Sequence, residues 1–273
     1  LAPTATLARR GVALAVVASV GDYVQMVAEG WSSREFGNDY QYYYVSGWMV
    51  LHGDMRCYER PVIEPLSLHL TDGMRLCFGL YQVPPCVLLS QPLALTDYFT
   101  STVIFLVCNH ALLLASVWLI VAATGQRPTV PLTLALWGLA LIFPPAGETL
   151  LRGQINIVAL FFLSLFLYAV SRRPTQARDA LAAVAIALVG VVKVIPSVAF
   201  LPVLLTRRLR LVAFAAVLAA AAVLIPMVIA PDLVHGYCAA MSYNRDFLIR
   251  GYRLPFNQSW PAVCDRFFIV DGG

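Results

Sequence analysis

The chain contains one lysine, Lys193, which follows the apolar run LAAVAIALVGVV and precedes IPSVAFLPVLL. A charge at bilayer depth costs ~2.5–3.5 kcal/mol on insertion scales, so it needs a reason to be there. Two readings stand. Lys193 is a site for an anion, most simply a lipid phosphate at the membrane–water boundary, or it snorkels to the interface. A second polar cluster, Glu148, Arg152, Gln154 and Asn156, lies in PPAGETLLRGQINIVAL. Arg152 could grip a phosphate bidentately. The amides that open the apolar run after it point into the same space, and a helix N-terminus favours anions. The plainer alternative is a loop holding a Glu148–Arg152 pair.

Asp39 lies in REFGNDYQYYY, just past the first apolar run. An isolated carboxylate among aromatic side chains suits a general base working near neutral pH. It also suits the N-cap of a following helix, and both can hold together. Asp22, inside the first apolar run, is a further candidate or a partner for a neighbouring helix. Late in the chain, YNRDFLIRGYRLPFNQSWPAVCDRF offers Asn257, Gln258 and Ser259 as hydrogen-bonding groups for a sugar, with Tyr252 or Trp260 to stack on one. An ordinary aromatic belt would read the same way, and Asn257-Gln258-Ser259 also fits the short glycosylation sequon.

The elements that must position these residues are membrane helices. The chain is 60% hydrophobic and only 12% charged, with a mean hydropathy of +0.75. Soluble chains carry ~25% charged residues, so the excess apolar surface must face lipid. Helices are expected at 11–28, 101–124, 130–146, 155–170, 179–193, 196–206 and 211–230, because a helix satisfies its own backbone in lipid. Several fall short of a full crossing, and Pro196 and Pro202 suggest two short helices meeting partway through the bilayer. The first long connection, 29–100, is expected to hold interfacial helices. One is 40–51 (YQYYYVSGWMVL), read as aromatic and amphipathic, and another short apolar stretch is 84–98.

Eighteen arginines and Lys193 against 15 carboxylates give a net charge of +4. Nine of the arginines sit beside or between the apolar runs, at Arg9 and Arg10, at Arg127, at Arg172, Arg173 and Arg178, and at Arg207, Arg208 and Arg210. By the positive-inside rule these are cytoplasmic, which makes seven segments self-consistent. The arrangement speaks against nucleic-acid binding, which gathers basic residues on one face. Cys57, Cys77, Cys86, Cys238 and Cys264 fall on the other side, where disulfides form. Cys57–Cys77 and Cys238–Cys264 are conceivable bridges, and free apolar cysteines are the equal alternative. No P-loop, GxGxxG, HExxH or GxSxG motif is present. His52, His69, His110 and His235 are scattered, and His110 reads as a core residue.

The order of landmarks resembles the GT-C glycosyltransferases, most closely family 87, the polyprenol-phosphate-mannose-dependent mannosyltransferases. The resemblance rests on Asp39, Tyr43, Gly53 and Tyr58; on Tyr81-Gln82-Val83-Pro84-Pro85, a looser version of a Tyr-Pro-Pro element; on Gly153-Gln154-Ile155-Asn156; on Lys193-Val194-Ile195-Pro196; and on Asn257-Gln258-Ser259. It implies an all-α polytopic transmembrane bundle of GT-C type, forming one glycosyltransferase domain over 1–273. Family members continue with further helices after the Asn-Gln-Ser loop, so this sequence is expected to be a piece of a longer chain.

The resemblance also implies a plasma-membrane (inner-membrane) enzyme whose active site faces the non-cytoplasmic side. It would move a hexose, mannose being the family's best-known, from a polyprenyl phosphate to a lipid or glycan acceptor with inversion. Asp39 would be the base. Lys193, Arg152, Gln154 and Asn156 would hold the donor phosphate. Tyr43, Asn257, Gln258 and Ser259 would hold sugar or acceptor. No cofactor beyond the lipid-linked donor is implied, and the partners are that donor, the acceptor and membrane lipids. The rival from another class is a flippase for lipid-linked sugars, although no repeated halves are visible.

Overall fold

The structure is a computed structural model that describes residues 2–32, 37–73, 82–192 and 208–243. Every regular element among them is helical: α1 Ala2–Ser32, α2 Tyr40–Leu51, α3 Arg60–Leu70, α4 Pro84–Leu89, a 3-10 turn Gln91–Leu95, α5 Tyr98–Ala123, α6 Val130–Ile142, α7 Pro144–Leu151, α8 Asn156–Val170, α9 Gln176–Val192, α10 Leu209–Ile229 and α11 Pro231–Tyr243. The expected segments at 11–28, 101–124, 155–170, 179–193 and 211–230 each correspond to one of these helices. The segment at 196–206 lies outside the described residues.

Two described helices, α5 and α10, are long and apolar enough to cross a bilayer. A third crossing counts if α6 and α7 together are one span, broken by an 80° bend. This is fewer than the seven expected. With 15 residues, α8 is about 22 Å long against a hydrocarbon core of about 30 Å. The 31-residue α1 exposes Asp22, Gln25 and Glu29 along its C-terminal half.

The break after α6 corrects the expected helix 130–146, and Pro144-Pro145 is its cause. A residue before proline is pushed into extended backbone, and Phe143 takes φ −72°, ψ 111°. Proline then fits the first turn of a new helix, where its missing N–H is no loss. The eight-residue α7 therefore swings across the end of the bundle instead of continuing α6.

The helices share two ends. A Cβ on Gly138 would run into Val16 and one on Gly30 into Leu151, so α1 lies parallel to α6 and ends beside α7. Arg172 donates to the Ala122 carbonyl at 2.9 Å, which brings together the C-terminal ends of α5 and α8. Arg208 donates to the Val170 carbonyl at 3.0 Å and approaches Asp179 at 3.8 Å. The connections that carry Arg172, Arg178 and Arg208 therefore gather at one end, while α2, α7 and the start of α8, with Arg152 between them, occupy the other.

The greatest departure from expectation is α2. Ten of its twelve residues are buried, including Tyr40, Gln41, Val45, Ser46 and Met49 at 0% exposure. It is packed inside the protein and is not the exposed amphipathic helix expected. Its tyrosines supply apolar rings to the interior and place their hydroxyls on partners. The Tyr44 hydroxyl donates to the Thr96 carbonyl at 2.9 Å, and that of Tyr40 bonds Ser101. The Tyr40 ring packs on Phe105 with centroids 4.7 Å apart, an arrangement worth about 0.5–1.5 kcal/mol beyond area burial. Gly47 permits the tight seat, because a Cβ there would strike the Ser90 carbonyl. The 84–98 stretch is likewise buried beneath α2 at Cys86, Val87 and Ala94. The amphipathic helix of this connection is α3, which buries Ile63 and Ser67 and pairs Arg60 with Glu64 at the surface, 3.2 Å apart.

Of the suggested disulfide partners, Cys57 is a free thiol, and Cys77 and Cys264 lie outside the described residues. Burial pushes the Cys57 and Cys86 thiols up to about 12, which keeps them protonated and inert. His110 is a core residue, as its sequence context predicts: it shares a 3.0 Å hydrogen bond with the Tyr23 hydroxyl and meets the Trp137 ring edge-on.

Candidate functional site

At the end of the bundle opposite Arg172 and Arg208, the chain from Gly37 to Tyr40 lies against the turn that joins α7 to α8. Three backbone bonds fasten it. Gly37 N–H donates to Leu151 O at 2.9 Å, and Asp39 and Tyr40 N–H donate to Arg152 O at 2.9 and 3.2 Å. Gly153 makes this approach possible. It adopts φ +66°, and any Cβ there would collide with that of Tyr40. The closeness of the two segments at this turn brings Asp39 within reach of Gln154.

Asp39 precedes α2 but does not cap it: its side chain makes no cap hydrogen bond. Its Oδ2 instead accepts from Gln154 Nε2 at 2.6 Å, across 115 positions of sequence. Among the described residues Oδ1 takes no hydrogen bond, and the side chain is half-buried. Gln154 is held in turn. Its backbone N–H donates to Thr149 O at 2.9 Å, and its Oε1 accepts from Asn156 Nδ2 at 2.5 Å. Asn156 Nδ2 also reaches Thr149 Oγ1 at 3.3 Å. The group is a carboxylate at the end of a chain of side-chain amides, with Thr149 at its root. Sequence reading does not single out Thr149; its only signal is a position in the same short turn.

The other members are placed differently. Arg152 pairs with Glu148 at 2.8 Å, one helical turn back, with both side chains about half exposed (51% and 55%). This is the plainer of the two arrangements the sequence allows. Tyr43 is buried at 8% exposure beside Asp39. Burial pushes its phenol far above the usual range, with Cys86 and the Asp39 carboxylate adding to the shift while hydrogen bonds with Gln82 and the Ile155 backbone oppose it. Tyr43 is thus a neutral hydroxyl throughout the ordinary pH range. Lys193, Asn257, Gln258 and Ser259 lie outside the described residues, as do Tyr81, Tyr252 and Trp260. Among the described residues no three His, Cys, Asp or Glu side chains converge as a metal site.

A cavity of about 680 Å³ opens between α9 and α10, bordered by α4 and α11. Its walls are almost wholly apolar, with Pro84 and Pro85 from α4, Ala215 and Ala219 from α10 and Tyr237 from α11 among them. The last turn of α9 contributes Gly190 and Val191, the latter two positions before Lys193 in sequence.

The arrangement can do two things chemically. A fixed half-buried carboxylate can accept a proton from a hydroxyl brought to it. An apolar cavity of this size can seat a hydrocarbon chain. No curated protein and no solved structure matches the chain. Residues 81–271 match the model of glycosyltransferase family 87, which takes in Pro84 and Pro85, the Gly153–Asn156 turn and all of α9 to α11. The chain therefore belongs to glycosyltransferase family 87.

Proposed function

We propose that this membrane glycosyltransferase moves a hexose, with mannose the first candidate, from a polyprenyl phosphate to a hydroxyl of a lipid or glycan acceptor. The reaction takes place at the non-cytoplasmic face of the plasma membrane and inverts the anomeric carbon. The observation that carries this reading is the Asp39 carboxylate, fixed by Gln154 at the end of the bundle opposite Arg172 and Arg208. The positive-inside rule assigns the arginine end to the cytoplasm, which puts Asp39 on the other side.

Asp39 takes the proton of the acceptor hydroxyl. The oxygen then forms its bond to the anomeric carbon as the bond from that carbon to the phosphate oxygen breaks. The electron pair leaves with the polyprenyl phosphate. Arg152 and Lys193 stabilise the charge that develops on the departing phosphate, a placement that favours the transition state over the ground state. For Arg152 this means exchanging an exposed partner, Glu148, for the phosphate, and an exposed pair of this kind is worth about 0–1 kcal/mol. The apolar cavity beside α9 takes the prenyl chain, next to the turn that leads into Lys193. Tyr43, a neutral hydroxyl beside Asp39, binds sugar or acceptor together with Asn257, Gln258 and Ser259.

The test is a transfer assay on the full-length protein in liposomes, with labelled polyprenyl-phosphate-mannose and membrane-lipid acceptors. Label is expected to reach an acceptor with Asp39 intact and not in Asp39→Asn. Donor crossing the bilayer with no transfer would replace this reading with a flippase.

A further inference from the structure

The sequence offers Gln154 and Asn156 to the donor phosphate, but in the folded chain they meet Asp39 and each other. A primary amide is directional: its nitrogen only donates and its oxygen only accepts. Gln154 Nε2 faces the Asp39 carboxylate, so Gln154 Oε1 must face away, and it faces Asn156 Nδ2. The reverse orientation would set the Gln154 oxygen against a carboxylate oxygen, two acceptors at contact. Asn156 is constrained in the same sense, because Gln154 Oε1 can only accept and therefore requires Asn156 Nδ2, while the Thr149 hydroxyl serves either orientation. The whole chain has one consistent direction, and its terminus is Asp39.

The geometry points to a positioning relay: Asn156, one step removed from Asp39, fixes the amide orientation of Gln154, and Gln154 in turn holds the Asp39 carboxylate with Oδ1 directed to the acceptor hydroxyl. This rests on Asp39 being the base, and gives the two amides a role other than phosphate binding. The backbone clamp from Arg152 O to Asp39 and Tyr40 N–H sets the position of the acid. The relay sets the rotation of its carboxyl group. Both are needed, because misplacing a reacting group by about 1 Å costs about 10²-fold in rate.

Gln154→Met keeps the length of the side chain and removes the donor. It is expected to lower kcat about 10²-fold while donor Kd stays as in the wild type. Asn156→Asp puts an acceptor where Gln154 Oε1 needs a donor, so the Gln154 amide lies between two carboxylates with neither orientation favoured; its hold on Asp39 is lost, and kcat falls to a similar degree. The decisive comparison is the double variant. If Asn156 acts through Gln154, adding Asn156→Asp to Gln154→Met lowers kcat no further.

All variants are measured in the full-length protein in liposomes, with labelled polyprenyl-phosphate-mannose as donor and membrane-lipid acceptors, alongside Asp39→Asn. Weakened donor Kd with kcat retained at saturation would put the amides on the phosphate and overturn the relay. A further loss in the double variant would show that Asn156 acts on its own and would also overturn it. An inactive Asp39→Asn together with a fully active Gln154→Met would sink the relay and leave the base assignment standing. A fully active Asp39→Asn would sink both. Should Gln154→Met fail to fold, Asn156→Leu carries the test, since it breaks only the outer bond. A loss of about tenfold in kcat at unchanged donor Kd is then expected, and unchanged kcat overturns the relay.

Discussion

The two ends of the bundle both concentrate polar side chains, and they use them in opposite ways. At the arginine end, guanidinium groups bond to main-chain carbonyls. Arg172 takes Ala122 O and Arg208 takes Val170 O and Arg172 O, which ties the C-terminal ends of α5 and α8 to the connections beside them. At the other end, Gln154 and Asn156 bond to side chains, and the sequence of donors and acceptors terminates on a carboxylate that keeps an oxygen without a bond from the described residues. Polar groups that close on the backbone fasten helices. Polar groups that close on one another leave a terminal atom for chemistry. Substitutions at the first end should therefore register in stability, and at the second end in rate.

The largest expected effect lies at the acid. Asp39→Asn should cost about 10²–10⁴-fold in transfer, the usual contribution of a general base, with melting temperature and donor binding unchanged. A loss of folded protein in its place would mean that the acid end is structural too, and the contrast would fail. Next comes Arg208→Met at the arginine end. It leaves Asp179, whose side chain is 8% exposed, without its cation, and should destabilise by about 3–5 kcal/mol, read as a lower melting temperature in detergent. Replacing Asp179 by Leu in the same protein should recover most of that loss, and residual turnover at permissive temperature should match the wild type.

Gly153→Ala probes the seam between fastening and chemistry. The positive φ and the collision with Tyr40 together should cost about 2 kcal/mol, and because the same turn carries Arg152 O to Asp39, kcat should fall as well. A stability loss without a rate loss would separate the backbone clamp from the positioning of the acid. The smallest effect is expected at Glu148→Gln. The pair it breaks is exposed, so melting should move by less than about 1 kcal/mol equivalent. A larger shift would show that Arg152 is held as tightly as the arginines of the other end.

Much of this division is legible in the sequence. The apolar runs can only be helices, because lipid offers a backbone no other partner. The arginines fall between runs in a pattern that puts them on one side, and the folded helices do bring Arg172, Arg178 and Arg208 together. Asp39, Gln154 and Asn156 stand out because such residues are costly beside apolar helices. The proline pair at 144–145 is visible, but hydropathy carries a helix straight through it, since an average over side chains does not register a bend. The run 40–51 reads as interfacial because tyrosines suit an interface as well as a core. What distinguishes the two is the bonding of the hydroxyls, and those partners, Ser101 and Thr96, come from elsewhere in the chain.

The sequence by itself determined that the protein is a set of membrane-type helices with a carboxylate, amides and cations reserved near their ends. Only the tertiary structure decided which of these meet. Residues 39 and 154 are far apart along the chain, and no local rule relates them. Their contact is made by a glycine at φ +66° and by one carbonyl, Arg152 O, accepting two backbone N–H groups from the neighbouring segment. Type and spacing are local properties that a sequence carries outright. The direction of an amide depends on what lies on both sides of it, and that exists only once the chain has folded.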